Sequence, residues 1–234
     1  MVLNTGNWNI GSWQKIIHTI TPIAVTPQNL FALSLLALAI GCSGMPGRVV
    51  PPGIDPEDAA EQAMEIYDTD GDGFVADSEL DNAPGLKAAM KTLDTDGDEK
   101  VSEEEVAERI RAWQKTGVGI TSINCKVLIK NLPLQGATVT FVPEVFLGDE
   151  IKAAVGISGP LGELSPKIPK ENRPRPDSPP GLQLGLYQVR VSKMVKGKET
   201  IPAKYNTETT FGQEVSDDDP AIQGHRVIFK VTKK

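Results

Sequence analysis

The sequence predicts an α-plus-β protein whose helices and strands occupy separate domains, a paired helix–loop–helix module followed by an antiparallel β-sandwich. Three observations carry this reading. Residues 55–115 run helix, acidic loop, helix twice over, with Asp68 and Asp94 in register 26 residues apart. Residues 120–234 turn into short runs rich in β-branched residues, separated by turn residues. Between the two patterns lies Thr116-Gly-Val-Gly119, which continues neither.

The first helix opens at Asp55-Pro56-Glu57-Asp58. Asp55 can cap, Pro56 suits the first helical position, and the acids favour the positive end of the helix. Ala60, Ala63, Met64 and Tyr67 then recur at helical spacing. After the first acidic loop a short helix is expected around Ser78–Asn82, ended by Ala83-Pro84-Gly85. Leu86, Ala89, Met90 and Leu93 mark the next helix. Val106, Ile110 and Trp113 mark one face of the last.

The two acidic loops carry the chemistry. The first reads Asp68-Thr-Asp70-Gly-Asp72-Gly73-Phe74-Val75-Ala76-Asp77-Ser-Glu79. Carboxylates at positions 1, 3, 5 and 12 can converge on one hard cation, and Gly73 at position 6 permits the sharp turn that brings them round. The second reads Asp94-Thr-Asp96-Gly-Asp98-Glu99-Lys100-Val101-Ser102-Glu103-Glu-Glu105 and repeats positions 1, 3, 5 and 12. It departs at position 6, where Glu99 replaces glycine. A Cβ in the left-handed region costs about 1–2 kcal/mol, so the second loop is expected to bind more weakly.

Both loops resemble EF-hand calcium loops. The resemblance implies Ca2+ as ligand. Asp68, Asp70, Asp72 and Glu79 would bind it with the backbone carbonyl of Phe74, and Asp94, Asp96, Asp98 and Glu105 with that of Lys100. Water would serve position 9 at Ala76, where the side chain has no oxygen. Paired EF-hands bridge their loops through position 8, here Val75 and Val101. The 14-residue connection 80–93 is shorter than in calmodulin-like pairs. Methionines are few, which favours a constitutive site over a sensor.

Residues 123–130, 137–142, 151–157, 186–192 and 226–232 read as strands. Residues 159–181 hold seven prolines and read as one long loop. Three segments carry a further resemblance: Pro133-Leu-Gln-Gly-Ala137-Thr-Val-Thr-Phe-Val-Pro143, Gly185-Leu-Tyr187-Gln-Val-Arg-Val191 and Ile201-Pro-Ala-Lys-Tyr205-Asn206. Together they look like the carboxypeptidase regulatory-like, transthyretin-like domain of bacterial envelope lipoproteins. That implies a seven-stranded sandwich and names no ligand.

The chain's start has its own signature. Leu30-Phe-Ala-Leu-Ser-Leu-Leu-Ala-Leu-Ala-Ile40 would rise about 16 Å as a helix, roughly half a bilayer's apolar thickness. It fits a signal-peptide core better than a spanning helix. Leu38-Ala39-Ile40-Gly41-Cys42 resembles a lipobox, which implies a signal peptide over 1–41 and lipidation of Cys42. The alternative is a buried apolar segment with an incidental cysteine. Pro- and Gly-rich residues 42–54 would then be a tether. Cys125, the other of two cysteines, sits among apolar residues as a core thiol.

Function classes narrow accordingly. The net charge of −7, with acids concentrated in 55–108, argues against a nucleic-acid surface and suits a cation ligand. No Ser/His/Asp set, HExxH or phosphate loop is present. His225, the only histidine after the leader, stands beside Arg226 and reads as surface rather than catalyst. The expectation is a lipid-anchored calcium-binding protein of the bacterial cell envelope, periplasmic or on the outer membrane. It would not be an enzyme, and its sandwich would contact an envelope protein or glycan. An envelope hydrolase with structural calcium sites is the alternative.

Overall fold

The computed structural model describes residues 48–224 and 227–232. The predicted leader (1–41), Cys42 and His225 lie outside them. Pro46–Lys234 forms one compact unit, in which the helical and β segments share a continuous buried core. No helix among the described residues is long and apolar enough to cross a membrane.

Helix α1 (Pro56–Tyr67) starts as its sequence dictates, with Asp55 Oδ1 accepting from the amides of Glu57 at 3.1 Å and Asp58 at 3.2 Å. It buries Ala59, Ala60, Ala63 and Tyr67. Strand β1 (Phe74–Val75) and the four-residue α2 (Asp77–Leu80) follow. Helix α3 (Pro84–Leu93) begins at the proline that was expected to end its predecessor, since the missing N–H is no loss at a first helical position. Strand β2 (Val101–Ser102) leads into α4 (Glu103–Thr116), which has a capping box of Ser102 and Glu105. Gly117 ends it in the left-handed region at φ 64°.

The β segments are β3 (Cys125–Ile129), β4 (Leu132–Pro133), β5 (Thr138–Pro143), β6 (Ala154–Ile157), β7 (Glu163–Leu164), β8 (Gly185–Ser192), β9 (Met194–Val195), β10 (Lys198–Glu199), β11 (Gly212–Val215) and β12 (Val227–Val231). A four-residue helix α5 (Pro220–Gln223) precedes β12. One antiparallel sheet runs β11-β8-β5-β6, and a second runs β12-β3-β4 with β7 also on β3. The sheets face each other where Phe141 meets Phe229, with ring centroids 5.9 Å apart, and Tyr187 packs edge-on to Phe141 at 6.0 Å.

Two features correct the sequence reading. Strands β12 and β3 pair in parallel, Val227 with Cys125 through Val231 with Ile129, so the β part is not antiparallel throughout. The β segments and helices also pack together. A Cβ on Gly212 of β11 would stand 1.6 Å from the Pro84 carbonyl oxygen at the start of α3, so only glycine admits this approach. The expected tether is likewise held in part, with Gly119 N donating to Val49 O at 3.0 Å and Gln114 Nε2 to Ile54 O at 2.7 Å.

Candidate metal centre

Each acidic loop is folded by its own carboxylates. Asp68 Oδ1 accepts from the amides of Gly71 at 2.8 Å and Asp72 at 3.2 Å, and its Oδ2 accepts from Gly73 at 2.9 Å. In the second loop Asp94 Oδ1 accepts from Gly97 at 2.6 Å and Asp98 at 3.2 Å, and its Oδ2 from Glu99 at 3.0 Å. Asp72 and Asp98 accept from the amides of Phe74 and Lys100, each at 2.9 Å. Short side chains hydrogen-bonded to the backbone ahead of them turn a chain this tightly without regular structure.

The position-12 carboxylates close each loop from inside. Glu79 Oε1 accepts from the Thr69 amide at 2.6 Å and the Thr69 hydroxyl at 2.8 Å, while Oε2 accepts from the Ala76 amide at 3.1 Å. Glu105 does the same with Thr95 N at 2.8 Å and Ser102 N at 2.9 Å. These bonds, the Ala76 amide foremost, hold the Glu79 carboxyl below its ordinary range. Burial opposes the charge of Glu105, but the donors of Ser102 and Thr95 outweigh it and the net shift is downward. Both groups are therefore ionised at neutral pH although little exposed, at 9% and 8%.

Carboxylate oxygens of Asp68, Asp70 and Glu79 lie within 4.8 Å of one another, as do those of Asp94, Asp96 and Glu105, and each group could hold a metal ion. Asp72 and Asp98 stand outside these groups. Phe74 and Lys100 sit where the loops meet. The loops pair antiparallel, Phe74 with Ser102 and Val75 with Val101, and both valines are completely buried. Lys100 Nζ lies 3.3 Å from Asp72 Oδ2 and 4.6 Å from the centre of the Phe74 ring, so it ties the second loop to the first. Glu99 occupies the left-handed region at φ 65°, where the first loop has Gly73 at φ 89°.

Two buried carboxylates from the β part reach into the helices, and the sequence pattern does not reveal them. Glu144, after β5, accepts from Tyr67 Oη at 2.7 Å and Gly85 N at 2.7 Å, and from Gln188 Nε2 at 3.0 Å. Burial pushes its pKa up. Glu214 on β11 accepts from Thr92 Oγ1 at 2.6 Å, Arg109 Nε at 2.6 Å and Trp113 Nε1 at 2.9 Å. Arg109 also grips Asp218 with both terminal nitrogens, at 2.9 and 2.7 Å. Tyr67 precedes Asp68 directly and Thr92 lies two residues before Asp94, so each acid anchors the helix that enters one loop.

Cys125 is buried and unpaired, and burial pushes its thiol up to about 12, so it is a poor nucleophile. Compared with known proteins, the chain matches no protein-family model and no curated sequence.

Proposed function

We propose that this chain is a calcium-binding, lipid-anchored cell-envelope protein with two EF-hand sites. The observation that carries the reading is the pair of converging carboxylate groups at identical loop positions, joined through Val75 and Val101. All the offered donors are carboxylate oxygens, the donor class that hard divalent cations take and that softer metals do not select. Three carboxylates within 4.8 Å repel one another, and a divalent cation removes that repulsion. The roles of Asp68, Asp70, Asp72 and Glu79, with the Phe74 carbonyl, belong to the first site. Asp94, Asp96, Asp98 and Glu105, with the Lys100 carbonyl, belong to the second.

The β part is a binding or structural module, read as transthyretin-like on its sequence resemblance. The anchor rests on Cys42 and its lipobox resemblance. Calcium would rigidify the helices that Glu144 and Glu214 hold against the β part. Calorimetric titration with calcium tests this. The parent should bind two ions, and Asp68→Ala/Glu79→Gln should lose the tighter one. At calcium a hundredfold above the dissociation constant, binding should add about 2.7 kcal/mol of stability. Unchanged binding by the double variant would refute the assignment of the first loop.

A further inference from the structure

One end of the β part is a closed ring of hydrogen bonds that gathers lysines on an otherwise acidic protein. Lys130 N donates to Val231 O at 3.1 Å. The next residue, Thr232, shares a 2.6 Å hydrogen bond between its hydroxyl and that of Tyr205. Asn206 Nδ2 donates to Glu199 Oε2 at 3.0 Å, and Glu199 Oε1 accepts from Lys193 N at 3.0 Å. Lys193 Nζ reaches Gln135 O at 2.6 Å, and the Gln135 segment leads back through β4, where Leu132 pairs with Ile129. Lys130, Lys193, Lys196, Lys198 and Lys204 all lie on or beside this ring. The acids there are Glu208 and Glu199, and Glu199 is engaged by five donors from Ser192, Lys193, Thr200, Ile201 and Asn206.

Two tight hairpins lie here. Their two-residue turns are Lys130-Asn131, with φ 50° and 63°, and Lys196-Gly197, with φ 52° and 76°. Such turns favour asparagine or glycine at their first position, and lysine there is strained. Neither lysine Nζ has a hydrogen-bond or ion-pair partner among the described residues, so no polar contact of these side chains there offsets that strain. Beside these turns stand Leu132, Met194 and Val195, exposed by 67%, 60% and 45%. Unpaired lysines interleaved with bare apolar side chains on adjoining tips match a surface that is anionic outside and apolar just beneath.

We infer that this end of the β part docks on an anionic lipid surface. Lys130, Lys196 and Lys198 meet the headgroups, and Leu132, Met194 and Val195 enter the boundary below them. A soluble acidic protein would satisfy the lysines but leave the apolar tips without a role. Residues 48–50 run past Gly117–Gly119, at the end of β3 away from these turns.

The test uses the full chain carrying Cys42→Ser, in EGTA, with vesicle flotation. Vesicles of phosphatidylcholine alone are compared with vesicles in which about a third of the lipid is phosphatidylglycerol. The chain should partition onto the anionic vesicles, and any binding through residues 30–40 shows on both kinds. Each lysine removed should cost about fivefold, so Lys130→Asn/Lys196→Asn should weaken anionic binding about 25-fold. The same variant should melt higher, because asparagine tolerates the left-handed region. Binding and stability therefore move in opposite directions, and misfolding cannot mimic the result. Leu132→Ser/Met194→Ser should weaken binding with its salt dependence intact. Equal partition onto both vesicles, or parental binding by the asparagine variant, would overturn the proposal. So would tight binding to soluble polyglutamate that the serine variant leaves unchanged, which would assign the surface to an acidic protein instead.

Discussion

Replacing Glu99 separates two opposed effects in the second loop. Glu99 holds φ 65° where glycine holds φ 89° in the first loop, and its amide makes the same bond to the position-1 aspartate, 3.0 Å against 2.9 Å. The backbone path is thus alike and only the Cβ differs. That Cβ costs about 1–2 kcal/mol, or about 5- to 30-fold in affinity if ion binding is what imposes the conformation. The carboxylate works the other way. A unit charge about 8 Å from a divalent ion in water contributes about 1 kcal/mol, and screening over a similar distance reduces this to about 0.4 kcal/mol, roughly twofold. Glu99→Gln keeps the Cβ and loses the charge, so it should weaken the second site about twofold. Glu99→Gly should bind about 5- to 30-fold more tightly than Glu99→Gln. If the loop is left-handed without the ion, the gain appears instead as a calcium-free melting increase of about 2–8 °C. Calorimetry and melting of both variants give the sum. If glycine and glutamine agree in affinity and in melting temperature, the strain argument is wrong.

Three further outcomes follow from the hydrogen-bonded acids. Glu144→Ala strands the Tyr67 hydroxyl and the Gly85 amide inside the protein and should destabilise by about 2–5 kcal/mol in urea unfolding; Glu144→Gln, which keeps an acceptor, should lose less than half of that. Arg109→Ala takes the cation from Glu214, which is 3% exposed, at a cost of about 3–5 kcal/mol, whereas Arg109→Met/Glu214→Gln, which keeps an acceptor for Trp113 Nε1, should recover most of the loss in the same assay. Burial opposes the charge of Glu199, but the Ser192 hydroxyl and the amides of Ile201, Lys193 and Thr200 prevail and hold it at about 2 instead of 4.5. The unfolded chain therefore takes up the proton first. The stabilisation is complete above pH 4.5 and disappears as pH falls towards 2, so urea midpoints of Glu199→Gln should show a flatter acid limb than the parent.

What the sequence discloses here follows the range of the forces involved. The loops were legible because an Asx-folded turn is local: Asp68, Asp72 and Glu79 act on amides within ten residues, and a twelve-residue spacing records all of it. The meeting of Val75 with Val101 was legible because it repeats that register once. Strands β3, β5, β8 and β12 were legible as apolar alternation, Val227, Phe229 and Val231 inward and Ile228 and Lys230 outward. Alternation carries no direction, however. The first and last strands of the β part are joined by no hairpin, so nothing local fixes them antiparallel, and they pair in parallel. The two anchoring acids were hidden for a related reason. A glutamate in a sequence counts as surface until its partners are known, and Tyr67 and Arg109 lie 77 and 105 residues from theirs. Gly212 was equally mute, since its meaning is the Pro84 carbonyl pressed against it. The helical repeat and the β part could thus each be read alone, while their junction is written in single residues whose partners only the folded chain supplies. That junction is where the two entering helices are held. The geometry of the acidic loops, legible in themselves, therefore depends on contacts that were not.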